Sequence, residues 1–250
     1  KVRAEVHSIV SSMPIDLYDP NVHAVTGSLL ARQGTLAMEL ANAVSAWNYH
    51  SAPLFIRAMV DVHITLAWIL IDPKPRSQKY IEYGLGQSKL QIEHFKAHLI
   101  KNGKDPDESK MIAALEEWIN SQRYTFLLPV ELGSWSGMTV RDMAIEANIL
   151  DAYNFSYSSF SSCVHSTWNH VCRFNTTVSP SPLHRHTFLP DMPEYGPDPY
   201  QIDTVGRRFK ETVDLFNKHF HIQPTEQSAY EWLDEQLTII YEASKHGLAE

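Results

Sequence analysis

Two stretches of the chain carry side chains whose types and spacing could do chemistry. The first is LFIRAMVDVHITLAWILI, residues 54–71, where Arg57 and Asp61 stand four apart among Leu54, Phe55, Ile56, Met59, Val60, Val62, Ile64 and Leu66. On a helix that spacing places guanidinium and carboxylate on one face, about 40° apart, where they can pair. A charged pair inside so apolar a helix must be satisfied or it is strongly destabilising. It ties the helix to a neighbour, or else Arg57 faces a pocket and holds an anion while Asp61 orients the guanidinium.

The second stretch is DAYNFSYSSFSSCVHSTWNHVCRF, residues 151–174. Asp151, Asn154, Ser158, Ser161, His165 and Asn169 recur at three- and four-residue steps, a polar stripe with Tyr157, Ser162 and Trp168 beside it. Between Tyr153 and Asn169 there is no Lys, Arg, Asp or Glu. A solvent-facing helix normally carries such residues, so this face is expected to be buried or to line a pocket. It is a helix contact knitted by serine hydroxyls, or a site in which His165 moves protons with Ser162 or Ser161 beside it.

Arg57 and His63 also match the Arg-x4–6-His spacing of the higher-eukaryote and prokaryote nucleotide-binding (HEPN) ribonucleases, helical proteins that dimerise around a metal-independent site. On a regular helix His63 lies about 240° around from Arg57, so the two do not converge within one subunit. His165, His170, His184 and His186, with Asp191 or Glu194, invite a metal reading, but thirteen histidines make chance clusters common. No metal and no cofactor is expected. Phosphate-binding glycine loops, the Gly-x-Ser-x-Gly elbow and His-Glu-x-x-His are absent from the sequence, which excludes the folds built on them.

The elements that must position these residues are helical. The periodicity predicts helices over about 21–49, 51–71, 75–101 and from Asp105-Pro106 to near Tyr124. Irregular chain follows at 126–138, then a short helix (140–149) capped by Thr139 and one continuous helix over 151–174. Residues 178–200 hold six of the fourteen prolines and read as an irregular arm. Two helices close the chain, about 200–220 and 225–246, with Thr225 as a cap. No strand longer than four residues is expected. The fold class is all-α: one helical domain over 1–250, a bundle of seven or eight helices with a Pro-rich arm (178–200) and a C-terminal helical pair (201–250).

Composition sets the bounds on all this. The chain has 250 residues, 44% hydrophobic and 20% charged, with a net charge of −8. It is long enough to bury roughly 70–75% of its unfolded surface. The acidic balance argues against non-specific coating of nucleic acid or anionic membrane, leaving room for a local basic groove. Cys163 and Cys172 lie nine apart, about 13 Å on one helix, too far to bridge, which suits the cytoplasm. Residues 1–13 contain no continuous apolar run of the signal-peptide kind. Residues 54–71 have the length of a membrane span, but Arg57, Asp61 and His63 make a buried core helix the better reading.

Arg57 and Asp61 followed by DPKPRSQKYIEYG, together with Ser162-Cys-Val-His165, resemble the bacterial domain-of-unknown-function family 5677 over residues 25–175. That family shows an Arg-x3-Glu helix and, about a hundred residues later, a Ser-x-x-Val/Ile-His motif. Arg57 matches the arginine, Asp61 replaces the glutamate with a side chain one methylene shorter, and Ser162 and His165 match the second motif. The resemblance implies an all-helical architecture and these four site residues, with no reaction attached.

Two functions follow as expectations. One is a HEPN-like ribonuclease or nucleotide-processing protein of a defence or toxin system, binding RNA or a nucleotide through Arg57, Asp61, Ser162 and His165. The other is a non-catalytic sensor or scaffold whose Pro-rich arm, with Phe188, Tyr195 and Tyr200, contacts a partner protein or a second copy of the chain.

Overall fold

The computed structural model describes residues 1–103, 106–121, 133–224 and 226–245. Among them are ten α-helices: α1 (Val2–Ser11), α2 (Asn21–Asn42), α3 (Ala52–Ile69), α4 (Pro73–Asn102), α5 (Pro106–Asn120), α6 (Val140–Glu146), α7 (Ser158–Val164), α8 (Trp168–Phe174), α9 (Pro199–Phe220) and α10 (Ala229–Lys245). One antiparallel hairpin, β1 (Thr176–Val178) with β2 (Phe188–Pro190), is the only sheet among the described residues. The protein is all-α, with more and shorter helices than the periodicity implied. The expected helix end near Tyr124, the irregular residues 126–132, the Thr225 cap and the end at His246 lie outside the described residues.

α3 is the axis of the fold. It packs on α2, α6, α7, α9 and the residues just before α7. Ile56, Met59, Val60, Ile64, Leu66 and Ile69 are buried on it, meeting Leu30 and Leu40 of α2 and Phe209 and Phe216 of α9 in one core. α3 is long and apolar enough to cross a membrane, yet two thirds of it, 67%, is buried inside the protein. Each large aliphatic side chain buried there contributes about 1.5–3 kcal/mol, which is what fixes α3 in place.

α9 begins where Asp198 accepts the Tyr200 backbone N–H at 2.9 Å, a side-chain cap ahead of the helix. It presses closely on α10 at Gly206, where a Cβ would lie 2.8 Å from carbons of Leu233 and Tyr230. The far half of α4 pairs with α5 in a separate small core of Ile92, Ile112 and Ile119.

The expected helix over 151–174 is broken twice. Residues Ala152–Tyr157 form a π-helical segment, in which the Ser158 N–H reaches back five residues to the Tyr153 carbonyl. α7 then stops at His165. Ser166 takes the left-handed conformation (φ 48), and the Thr167 N–H closes the end on the Ser162 carbonyl at 3.1 Å. Thr167, extended at ψ 156, starts α8. Serine, threonine and asparagine offer the backbone alternative hydrogen bonds, so a period made of them carries weak helical commitment. Both cysteines are free, and they sit on different helices rather than one.

The Pro-rich arm is also ordered differently from the expectation. Its first part is the β1–β2 hairpin, in register Thr176↔Pro190 and Val178↔Phe188. Its second part is strapped to the α2–α3 connection: the Asp198 N–H donates to the Trp47 carbonyl at 2.7 Å, and the Tyr49 hydroxyl donates to the Asp198 carboxylate at 2.9 Å. Tyr195 joins Tyr49, His50 and Phe174 in a ring cluster.

Candidate functional site

The apolar stripe that seats α3 in the core also aims Arg57 at the π-helical segment and α7. The Arg57 side chain is 9% exposed, against 46% for Asp61. Its Nη1 donates to the Asp61 carboxylate in an ion pair within α3. Nε donates to the Ser161 hydroxyl at 2.9 Å, a contact spanning 104 residues of sequence. The guanidinium carbon lies 3.2 Å from the centre of the Tyr157 ring, and Tyr157 stacks in turn on Tyr153 at 4.9 Å. A guanidinium placed over a ring and hydrogen-bonded to a carboxylate is an arrangement that suits arginine.

Of the four residues expected from sequence, Arg57 and Asp61 are together, and the serine that meets the arginine is Ser161 rather than Ser162; counted back from Val164-His165, the Ser-x-x-Val-His spacing also falls on Ser161. The Ser162 hydroxyl donates to the Ser159 carbonyl at 2.8 Å, and its own carbonyl holds the end of α7. Ser162 therefore shapes the helix terminus next to the arginine. His165 caps α7 one turn beyond Ser161, about 6 Å further along the axis. It is exposed, and its ring makes no hydrogen bond or ring contact among the described residues.

Tyr157 was visible in the sequence only as a neighbour of the polar stripe. The stronger signal is the four-residue row Tyr153, Tyr157, Ser161, His165 in the sequence. Wide π-type turns suit a step of four better than the mixed three-and-four period does, and such segments recur at functional sites.

Burial sets the electrostatics. Desolvation raises the Asp61 carboxyl above the usual carboxylate range, although the Arg57 charge and hydrogen bond oppose it. Desolvation likewise raises the Tyr157 phenol, again against the pull of Arg57. His63 points the other way. Its Nδ1 lies 3.0 Å from the Thr212 hydroxyl of α9, and Thr212 also accepts from Gln33 of α2 at 2.9 Å. Desolvation, helped by the Arg208 charge, lowers the His63 pKa to about 4, so the ring is neutral at physiological pH. Arg57 and His63 thus serve opposite faces of α3, as the 240° separation requires.

Among the described residues no group of three His, Cys, Asp or Glu is placed to hold a metal ion. A groove of about 600 Å³ lies between α1 and α2 and shares no residue with the Arg57 cluster.

Residues 23–179 match the family of unknown function DUF5677. The chain belongs to that family. The matched span runs from α2 through β1, so it includes Arg57, Asp61, Tyr157, Ser161, Ser162 and His165. It stops short of α9, which closes the core over α3. No curated protein and no solved structure matches the chain.

Proposed function

We propose that this DUF5677 protein is a HEPN-like, metal-independent phosphodiesterase acting on RNA or a nucleotide, its site lying where α3 meets the π-helical segment and α7. What supports the reading is the meeting of the two sequence stretches: Arg57 donates to Ser161 across 104 residues, while Asp61 is half exposed and His165 exposed. In this reading the Arg57 charge stabilises the oxyanion that develops on phosphorus, and Asp61 and Ser161 hold the guanidinium in place. His165 takes the proton of the attacking hydroxyl and returns one to the leaving oxygen as the phosphorus–oxygen bond breaks.

The test is turnover of labelled oligoribonucleotides and nucleotides in the presence of a chelator, wild type against His165→Ala. Loss of a proton-transfer group is expected to slow turnover about 100-fold or more. The exposed His165 has no partner to lose, so the melting temperature stays unchanged. Equal turnover in the two proteins, or none in wild type on any such substrate, overturns the reading.

One observation favours the non-catalytic alternative. At 9% exposure, with Nε and Nη1 engaged within the protein, Arg57 can act wholly as a lock between α3 and α7 in a sensor or scaffold. That alternative is what remains if wild type shows no turnover.

A further inference from the structure

From Ala152 to Pro190 the chain has no Asp, Glu or Lys; its charged residues are Arg173 and Arg185, accompanied by His165, His170, His184 and His186. In a protein of net charge −8, these thirty-nine residues form a stretch without a single negative side chain. The fold turns this stretch into a projecting feature. β1 and β2 pair at Val178↔Phe188, which puts His184-Arg185-His186 at the tip, and all three side chains are exposed. Arg185 forms no ion pair among the described residues. The nearest acids in sequence, Asp191 and Glu194, follow the base of the hairpin, where the Asp191 N–H bonds the Asn175 carbonyl.

The same feature carries large exposed rings. Trp168, at the start of α8, is 64% exposed, and Phe188 on β2 is 46% exposed. Their centroids are 6.3 Å apart, edge to face. The two rings form one exposed apolar pair, and Arg185 stands three residues before Phe188 on the same hairpin. Flat rings interleaved with cations are the elements that hold unpaired nucleic acid: bases stack on the rings and phosphates meet the cations. Duplex nucleic acid hides its base faces, so the rings select single strands.

We infer that the β1–β2 hairpin and the start of α8 form a binding surface for single-stranded nucleic acid, with Trp168 and Phe188 as base-stacking platforms and Arg185 as a phosphate contact. The surface adjoins the Arg57 cluster, because His165 lies only three residues before Trp168, at most about 10 Å along the chain. Binding stands on the charge and the rings alone. That the bound strand is delivered to His165 rests on the phosphodiesterase reading.

The experiment measures fluorescence anisotropy of labelled U10, dT10 and a ten-base-pair RNA duplex, with phosphatidylserine vesicles in a parallel sedimentation assay. Wild type, Trp168→Ala, Arg185→Glu and the remote surface control Lys110→Glu are compared, with folding checked by circular dichroism. Expected is binding of U10 or dT10 in preference to the duplex, weakened about 5- to 100-fold by Trp168→Ala, the loss of one stacking platform. Arg185→Glu is expected to weaken binding at least as much and to reduce the salt slope by about 0.7. Lys110→Glu leaves it unchanged. Binding of RNA alone or DNA alone among the single strands identifies the sugar that is read.

No single-strand binding, equal binding by folded Trp168→Ala and Arg185→Glu, or binding of vesicles in place of oligonucleotides overturns the inference. Loss of turnover in His165→Ala with U10 binding intact supports both readings. Binding by a wild type that turns nothing over sinks the phosphodiesterase reading and leaves this surface standing.

Discussion

Two arginine clusters flank α3, built from the same parts with opposite electrostatic results. At its C-terminal end Arg76 of α4 lies 3.8 Å over the Trp68 ring and donates to the Glu146 carboxylate at 2.5 Å, while Trp68 Nε1 donates to the same carboxylate at 2.6 Å. Earlier in the helix Arg57 lies over Tyr157 and pairs with Asp61. Glu146 receives two side-chain donors, from Trp68 and Arg76, and its pKa is pushed down. Asp61 receives only Arg57, burial outweighs that one partner, and its pKa goes up. An arginine on a ring therefore does not by itself define a site. What separates the two is whether burial or hydrogen bonding governs the carboxylate, and whether an uncommitted group such as His165 stands nearby.

The sharpest way to break the comparison is to remove the arginines. Arg57→Met leaves the Ser161 hydroxyl and a partly buried carboxylate without their cation and uncovers the Tyr157 face. Expected is a loss of about 3 kcal/mol in urea unfolding, the low end for breaking a buried pair because Asp61 can rehydrate. Arg76→Met is expected to cost less, because the Glu146 carboxylate keeps its Trp68 donor and Arg76 is the less buried of the two arginines. A reversed order would show that the α4–α6 junction, not the α3–α7 contact, holds the fold.

The next effect comes from the opposite face of α3. His63 has a folded-state pKa of about 4, below the ordinary 6.5. The neutral ring's stability is therefore fully present above pH 6.5 and is lost as pH falls toward 4, because the unfolded chain takes up the proton first. About 3 kcal/mol should disappear over that window, and His63→Gln should flatten the slope. An unchanged slope in the variant would mean the loss belongs to other groups.

The smallest effect distinguishes the carboxylates. Asp61, raised in the fold, favours the folded state at low pH and loses that advantage as pH rises through its titration. Glu146, lowered, contributes above the ordinary carboxylate range and loses its contribution as pH falls. Asp61→Asn should steepen the loss of stability on acidification below pH 5, and Glu146→Gln should lessen it. Unfolding curves at pH 3.5, 4.5 and 5.5 read the two signs, and equal signs would remove the contrast.

The chain's own order of residues determined the helical class, the long helices at α2, α3, α4 and α9 to within a few residues outside the α2 end, and the pairing of Arg57 with Asp61. These rest on local physics: apolar periods, proline and capping residues, and a four-residue step that fixes a shared face. The periodicity reading places no helix at α1, although Val2, Val6, Ile9 and Val10 recur at helical steps; a helix of ten residues is marginal by itself and is held by packing over Gly27 and Gly34 of α2.

Tertiary structure decided the rest. The helix over 151–174 broke because hydroxyl-rich sequence leaves the backbone a choice, and the choice fell to packing on α3, which put Ser161 rather than Ser162 on Arg57. The Pro-rich arm became a hairpin and a strap because its backbone groups found partners at Trp47 and across the two strands. Which serine, which ring and which histidine gather around one arginine depends on contacts across more than a hundred residues. No periodicity can specify them, because they are fixed only when the faces of separate helices meet.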